Sequence, residues 1–253
     1  MGEGETADYS RDDQDVLTLQ NSIELGFTQI DTAEYYGSGH CEEIVGRAVM
    51  PFDRNDLFIT TKVWHNQLKY DDLVQSMKGS LRRLKLDYVD LYLVHWPNEN
   101  VPLEETMRAL EYCVDEGYTR FIGVSNFPIN LMEKAQSCLK ENMLVANQVK
   151  YSLAEQEPNT KLIPYCVEND VTLIAYTPLS RGSLAIPGNH VLDELTEKYE
   201  KTYAQISLNW LISQEKVVAI PKASTLEHTH ENLGAVGWRL NNVDSLRLAQ
   251  SFR

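Results

Sequence analysis

The chain has 253 residues, 43% of them apolar and 24% charged, and its 23 Lys and Arg against 37 Asp and Glu leave a formal charge of −14. A folded chain of this mass buries roughly 73% of the surface its unfolded form exposes, which excludes a mini-protein stapled by metals or disulfides and a disordered chain. The acidic balance excludes sequence-independent binding to nucleic acid or to an anionic membrane, since both need clustered cations.

Residues 1–12 read as a polar, Gly-rich loop, and residues 13–25 as a helix that turns Val16, Leu19 and Ile23 inward. Residues 1–20 lack the apolar stretch of a secretory signal, and no run of 18 apolar residues occurs to span a bilayer. From about residue 28 one theme repeats: a short β-branched and aromatic run, a polar break, then a helical pattern. The predicted strands are Thr28–Ala33, Leu57–Val63, Val89–Trp96, Arg120–Asn126, Val145–Tyr151, Thr172–Leu179 and Val217–Ala223. Between the second and third, Leu73, Met77, Leu81 and Leu84 mark a helix with Asp71 or Asp72 as its cap. Between the third and fourth, Leu103, Met107, Leu110 and Val114 mark another, ended by Gly117.

Strands alternating with helices imply parallel pairing through right-handed crossovers. An open doubly wound sheet is expected to carry a Gly-rich phosphate turn after its first strand, and no G-x-G-x-x-G occurs. A closed barrel instead sets polar residues at the C-terminal strand ends, as Asp31, Lys62, His95, Asn126, Gln148, Tyr176 and Lys222 are here. The fold class is therefore α/β, a (β/α)8 TIM barrel with seven strands counted. Its first strand would lie upstream of Met1, so the expectation is one N-terminally shortened domain over 1–253. Cys41, Cys113, Cys138 and Cys166 are widely spaced, which suits reduced thiols in a cytoplasm.

Strand ends in a barrel converge, because neighbouring strands lie about 4.8 Å apart. Asp31, Lys62 and His95, with Tyr35 and Tyr36 on the loop after the first predicted strand, can then form an acid–base cluster. A phenol titrates near pH 10, and a nearby ammonium lowers that value by favouring the phenolate. Such a group suits protonation of a carbonyl oxygen. It does not suit acyl transfer or metal chemistry, since neither G-x-S-x-G nor H-E-x-x-H is present.

At these residues the sequence resembles the aldo-keto reductase family. The likeness runs from about Gly26 to Leu240 through DTAEYYG, TTKVW, LDYVDLYLVHWP, GVSNF, ANQVKYS, AYTPLSRG and IPKAS followed by EN. It implies NADPH-dependent reduction of aldehydes and ketones. Asp31, Tyr36, Lys62 and His95 match the catalytic tetrad, with Tyr36 as proton donor, Lys62 depressing its pKa and His95 orienting the carbonyl. Ser125, Asn126 and Gln148 match the positions that hold the nicotinamide carboxamide, and Tyr176 the ring that stacks on it. Thr177 and Leu179 fall in the following loop, at the pyrophosphate.

Lys222 and Ser224 match the ribose 2′-phosphate positions, and Glu231 and Asn232 those at the adenine. His228 stands where the family often has an Arg. Arg is permanently charged and grips bidentately, whereas an ordinary imidazole is mostly neutral at pH 7, so NADH use is expected alongside NADPH. Trp64 and Trp96 match substrate-pocket aromatics. The loop Pro97–Glu105 is short and the chain ends soon after the last helix, which implies an open pocket with broad aldehyde acceptance. A small carbonyl substrate, no nucleic acid, no membrane and a monomer or weak dimer complete the expectation. The missing first strand motivates one alternative, an inactive barrel acting as a nucleotide-binding or interaction protein.

Overall fold

The expected alternation forms in full. A computed structural model describes residue 4 and residues 6–252, so the predicted loop over 1–12 lies outside the described residues at positions 1–3 and 5. The chain divides into two compact units, Met1–Asn147 and Gln148–Arg253. The first holds α1 (Asp12–Glu24), β1 (Gln29–Asp31), α2 (His40–Val49), β2 (Phe58–Val63), α3 (Tyr70–Leu84), β3 (Val89–Val94), α4 (Leu103–Asp115), β4 (Thr119–Ser125), α5 (Ile129–Cys138) and the start of β5 (Leu144–Lys150). The second continues with α6 (Leu162–Glu168), β6 (Thr172–Tyr176), α7 (His190–Tyr199), α8 (Tyr203–Ile212), β7 (Val217–Ala219), α9 (Leu226–Leu233) and α10 (Asn242–Gln250).

In the first unit β1, β2, β3 and β4 pair in sequence order, all parallel. Every residue of β3 is buried, as a strand covered on both faces requires. In the second unit β6 pairs parallel with β7. Leu73, Met77, Leu81 and Leu84 are buried along α3, as their spacing predicts. The α3 cap differs from expectation. The helix begins at Tyr70, so Asp71 and Asp72 fall in its first turn, and the Tyr70 amide donates to Glu105 from another helix at 3.0 Å.

Helix α1 also departs from its predicted face. Asp15 and Thr18 are its buried residues, while Val16, Leu19 and Ile23 are half-covered. No described strand precedes α1 to offer the sheet face against which an apolar stripe would pack. Cys41, Cys113 and Cys166 are buried and Cys138 is half-buried, with no disulfide among the described residues. Burial pushes Cys113 up to about 12 and Cys166 up to about 11, so both stay protonated and inert. Among the described residues no helix is long and apolar enough to cross a membrane.

The N-terminal segment is pinned to α2 by a titratable side chain. His40 Nε2 lies 2.8 Å from Asp12 and its Nδ1 lies 3.3 Å from Glu43, while the Tyr9 ring packs against the imidazole at 4.2 Å. Burial opposes charge on His40, as does its place at a helix start, yet the two carboxylates outweigh burial and raise its pKa. A raised folded pKa means that this stabilisation is complete below the ordinary value near 6.5 and is lost as pH rises through the folded value. His40→Gln is expected to lower Tm by about 1–4 °C at pH 5.5, with the gap closing by pH 9. Thermal melts at the two pH values check this, and an equal gap at both would refute it.

Candidate active site

The expected strand-end residues do not all sit inside strands. Asp31 closes β1 and Lys62 is the penultimate residue of β2, but His95 lies just past β3 and Asn126 just past β4. The predicted strands run too long at their C-terminal ends because the backbone turns there: Asn126 has φ 63° and Thr177 φ 49°, a left-handed region that no ladder accommodates. Lys222 is likewise corrected, since β7 stops at Ala219 and Lys222 lies in the segment leading to α9.

Three of these residues, Asp31, Lys62 and His95, meet with Tyr36 in the first unit. Parallel register puts Asp31 opposite Thr60 and Lys62 opposite Leu93, so their ends advance together toward His95. Lys62 is fully buried, and its ammonium donates to the Asp31 carboxylate, to the Thr32 carbonyl at 2.9 Å and to the Tyr36 hydroxyl oxygen at 3.5 Å. The His95 amide continues the ladder by donating to the Val63 carbonyl at 3.0 Å. Its ring meets that of Tyr36 edge-on, with centroids 5.5 Å apart at 87°.

Tyr36 is held by the turn that follows it. Gly37, Ser38 and Gly39 all have positive φ. A Cβ on Gly39 would come within 2.5 Å of Arg83 Cδ and Nε, so only glycine lets the arginine pass. Arg83 Nε then donates to the fully buried Glu42 at 2.6 Å, and Glu42 accepts from the Thr61 hydroxyl at 2.6 Å. This network ties the turn to β2 beside Lys62. The sequence reading did not single out Glu42 and Arg83, whose contact spans 41 residues of chain.

Charge states follow from burial and from the ammonium. For Lys62, burial opposes the charge, but Asp31 and Tyr36 outweigh it and raise its pKa, so it remains an ammonium. Tyr36 corrects an expectation. Burial raises its pKa, the attraction of Lys62 offsets only part of that, and the net direction is upward. Lys62 therefore limits the rise without producing a lowered value. His95 falls to about 3, from burial first and then repulsion by Lys62 and His65, so its ring is neutral. A cavity of about 330 Å³ between α2 and α3, lined by Arg47, Arg82, Arg83 and Lys85 among others, contains none of these strand-end residues. Arg82 and Arg83 complement the C-terminal dipole of α3.

The chain matches the profile of the Aldo/keto reductase family over residues 1–250. It belongs to that family. Among proteins of known activity, this aldo/keto reductase is similar to the methylglyoxal reductase YeaE of Escherichia coli (strain K12), with 34% identity over 255 residues, covering 100% of this chain and 88% of that protein. Among solved structures, it is similar to the thermostable aldo-keto reductase Tm1743 in complex with the inhibitor epalrestat, at TM-score 0.93 and 45% identity, covering 98% of this chain and 90% of the other. An aldo-keto reductase from Klebsiella pneumoniae in complex with NADPH matches at TM-score 0.90 and 32% identity, covering 99% and 90%. The fold is that of the family's (β/α)8 barrel, with seven of the eight strands among the described residues.

The remaining expected residues of this aldo/keto reductase fall in both units. In the first, Ser125 is buried at the end of β4, and Asn126 Nδ2 donates to the His95 carbonyl at 3.1 Å and to Ser125 Oγ at 3.0 Å. Trp64 is half-buried and Trp96 is 42% exposed. In the second, Gln148 is buried in β5, Tyr176 ends β6, and Leu179 opens the turn Ser180–Ala185. Lys222 and Ser224 precede α9, which carries His228, Glu231 and Asn232, and the Thr225 hydroxyl caps that helix at the His228 amide. Thr177 supplies a test of fit for a polar cofactor. Its hydroxyl, next to Tyr176, is buried with no hydrogen-bond partner among the described residues, and such a group gains a partner when a ligand brings one.

Proposed function

We propose that this aldo/keto reductase reduces small aldehydes and ketones to alcohols with NADPH, working as one domain, a monomer or weak dimer, in the cytoplasm. The observation that carries the reading is the buried Lys62 ammonium in contact with both Asp31 and the Tyr36 hydroxyl oxygen, with the neutral His95 ring set edge-on to Tyr36. Bound NADPH supplies a hydride to the carbonyl carbon.

The chain's own residues do the rest. Because Lys62 donates to the Tyr36 oxygen, the hydroxyl hydrogen is left to point at a substrate oxygen. Tyr36 is protonated at neutral pH, as a general acid must be before it acts. When Tyr36 gives its proton to the carbonyl oxygen, the phenolate left behind already faces an ammonium held in place by Asp31 and Thr32. That contact strengthens as charge develops. His95, unable to take up a proton near neutrality, fixes the carbonyl oxygen by hydrogen bonding. Trp64 and Trp96 bound the substrate.

For the cofactor, the family resemblance would assign Ser125, Asn126 and Gln148 to the carboxamide, Tyr176 to the nicotinamide, and Thr177 and Leu179 to the pyrophosphate. Lys222 and Ser224, just ahead of the α9 N-terminus, suit the 2′-phosphate, since a helix start attracts anions. His228 would stand by both the adenine and the 2′-phosphate, with Glu231 and Asn232 at the adenine. Nothing in the site favours a non-catalytic barrel.

Methylglyoxal, the substrate named for the Escherichia coli relative, is the first compound to test. The purified protein is expected to oxidise NADPH when methylglyoxal is added, followed by loss of NADPH absorbance. His228→Arg is expected to raise the ratio of kcat/KM for NADPH over NADH by about tenfold, the gain of one charge-assisted hydrogen bond. No turnover by the wild type would refute the reading. An unchanged ratio would remove His228 from the 2′-phosphate end.

A further inference from the structure

We propose that Glu34 and Tyr35, the dipeptide just ahead of Tyr36, set the substrate selectivity of this site by fixing Trp64 as a rigid aromatic wall beside His95, which confines turnover to small, unbranched carbonyl compounds. The inference rests on the reductase reading above and names the substrate class of that site.

The Tyr35 and Trp64 rings are stacked, with centroids 3.7 Å apart and planes 15° apart. Both approach the His95 ring edge-on, Trp64 at 5.0 Å and 78°, Tyr35 at 6.3 Å and 83°. The imidazole is thus bracketed by three aromatic rings. Tyr36 brings the proton and the other two bring bulk. A carbonyl oxygen that reaches both the Tyr36 hydroxyl and His95 must hold its carbon substituents next to the stack.

Glu34 makes the wall rigid. Its amide donates to the Lys62 carbonyl at 3.3 Å, extending the β1–β2 ladder, and its carboxylate then accepts the Trp64 amide at 2.6 Å. One residue therefore anchors the backbone of both stacking partners, since Tyr35 follows Glu34 directly. Burial raises the Glu34 pKa, and the hydrogen bonds from the Trp64 amide and from Ser76 offset only part of that rise. Neither half of the wall can swing aside without breaking an anchored hydrogen bond or the ring stack. Hydrophobic pockets discriminate by about tenfold or more per methylene that fails to fit, so a fixed wall weighs heavily against branching at the carbon next to the carbonyl.

The test compares propanal with 2,2-dimethylpropanal, each with NADPH, in the wild type and in Tyr35→Ala, Tyr35→Leu, Tyr35→Phe and Glu34→Ala. The readout is the ratio of kcat/KM for the branched aldehyde over the linear one. Tyr35→Ala and Tyr35→Leu are expected to raise it at least about tenfold, mainly through KM for the branched aldehyde. Glu34→Ala should move it the same way, and Tyr35→Phe, which keeps the ring, should leave it near the wild-type value. General damage would lower both rates in parallel and leave the ratio where it was. A ratio unchanged in Tyr35→Ala and Tyr35→Leu overturns the inference whatever happens to the absolute rates. Should either variant fail to fold, the other and Glu34→Ala decide the matter on the same ratio. Wild-type inactivity toward both aldehydes would instead overturn the reductase reading.

Discussion

Replacing Tyr36 with Phe is expected to lower kcat/KM for aldehyde reduction by about 10²–10⁴-fold, the usual worth of a positioned proton donor. The substitution keeps the ring that packs edge-on against His95 at 5.5 Å and removes only the hydroxyl. Lys62 retains Asp31 and Thr32 as acceptors, so stability should change by about 1 kcal/mol or less. Loss of activity without loss of fold is thus the expected signature. The wild type should show no acid limb from His95 above pH 5, because that imidazole titrates at about 3. Its activity should fall only on the alkaline side, since burial raises Tyr36 above the ordinary phenol value. Rates in a pH series, beside melts of both proteins, check all of this. A Phe variant retaining half of wild-type turnover would remove Tyr36 from the chemistry.

The Lys62→Met variant is expected to lose both activity and stability. Lys62 is fully buried and Asp31 is nearly so, and removing one partner of a buried ion pair leaves an uncompensated charge at a cost of about 3–5 kcal/mol. For a chain of this size that corresponds to a fall in Tm of roughly 6–20 °C. Activity should drop at least as far as in Tyr36→Phe, because the developing phenolate would face a thioether where the ammonium had been. Adding Asp31→Leu to Lys62→Met removes the orphaned carboxylate, since buried pairs tolerate joint replacement by apolar groups. The double variant should regain most of the stability and none of the turnover. Denaturant titrations and initial rates separate the two effects. A single variant melting within about 2 °C of the wild type would contradict the burial of this pair.

Much of the site could be read from residue order, because parallel strands separated by helices bring their C-terminal ends together whatever the helices contain. Asp31, Lys62 and His95 arrive on successive strand ends for that reason. What sequence pattern could not give was where each strand stops. The β-branched and aromatic runs carry the predicted strands through Asn126 and Thr177, whereas the ladder ends where their backbones enter the left-handed region. The run over 217–223 likewise includes Lys222, which lies three residues beyond β7. Asp71 and Asp72 do not cap α3, because its first amide is satisfied by Glu105 on another helix, with no local cap. The inward face of α1 is not legible in its sequence, because apolar spacing reports a stripe and says nothing of whether a surface lies opposite it.

The sequence by itself determined the order of elements and the residue types at the strand ends, since both follow from local periodicity and from a peptide chain that crosses over in one hand. Only the tertiary structure decided the charge states and the second layer of contacts. The direction of the Tyr36 pKa depends on a contest between desolvation and the nearby ammonium, and burial wins it. Glu34 reaches the Trp64 amide across 30 residues of chain, and Arg83 reaches Glu42 across 41. Such contacts depend on three-dimensional proximity and side-chain direction, which no one-dimensional spacing encodes.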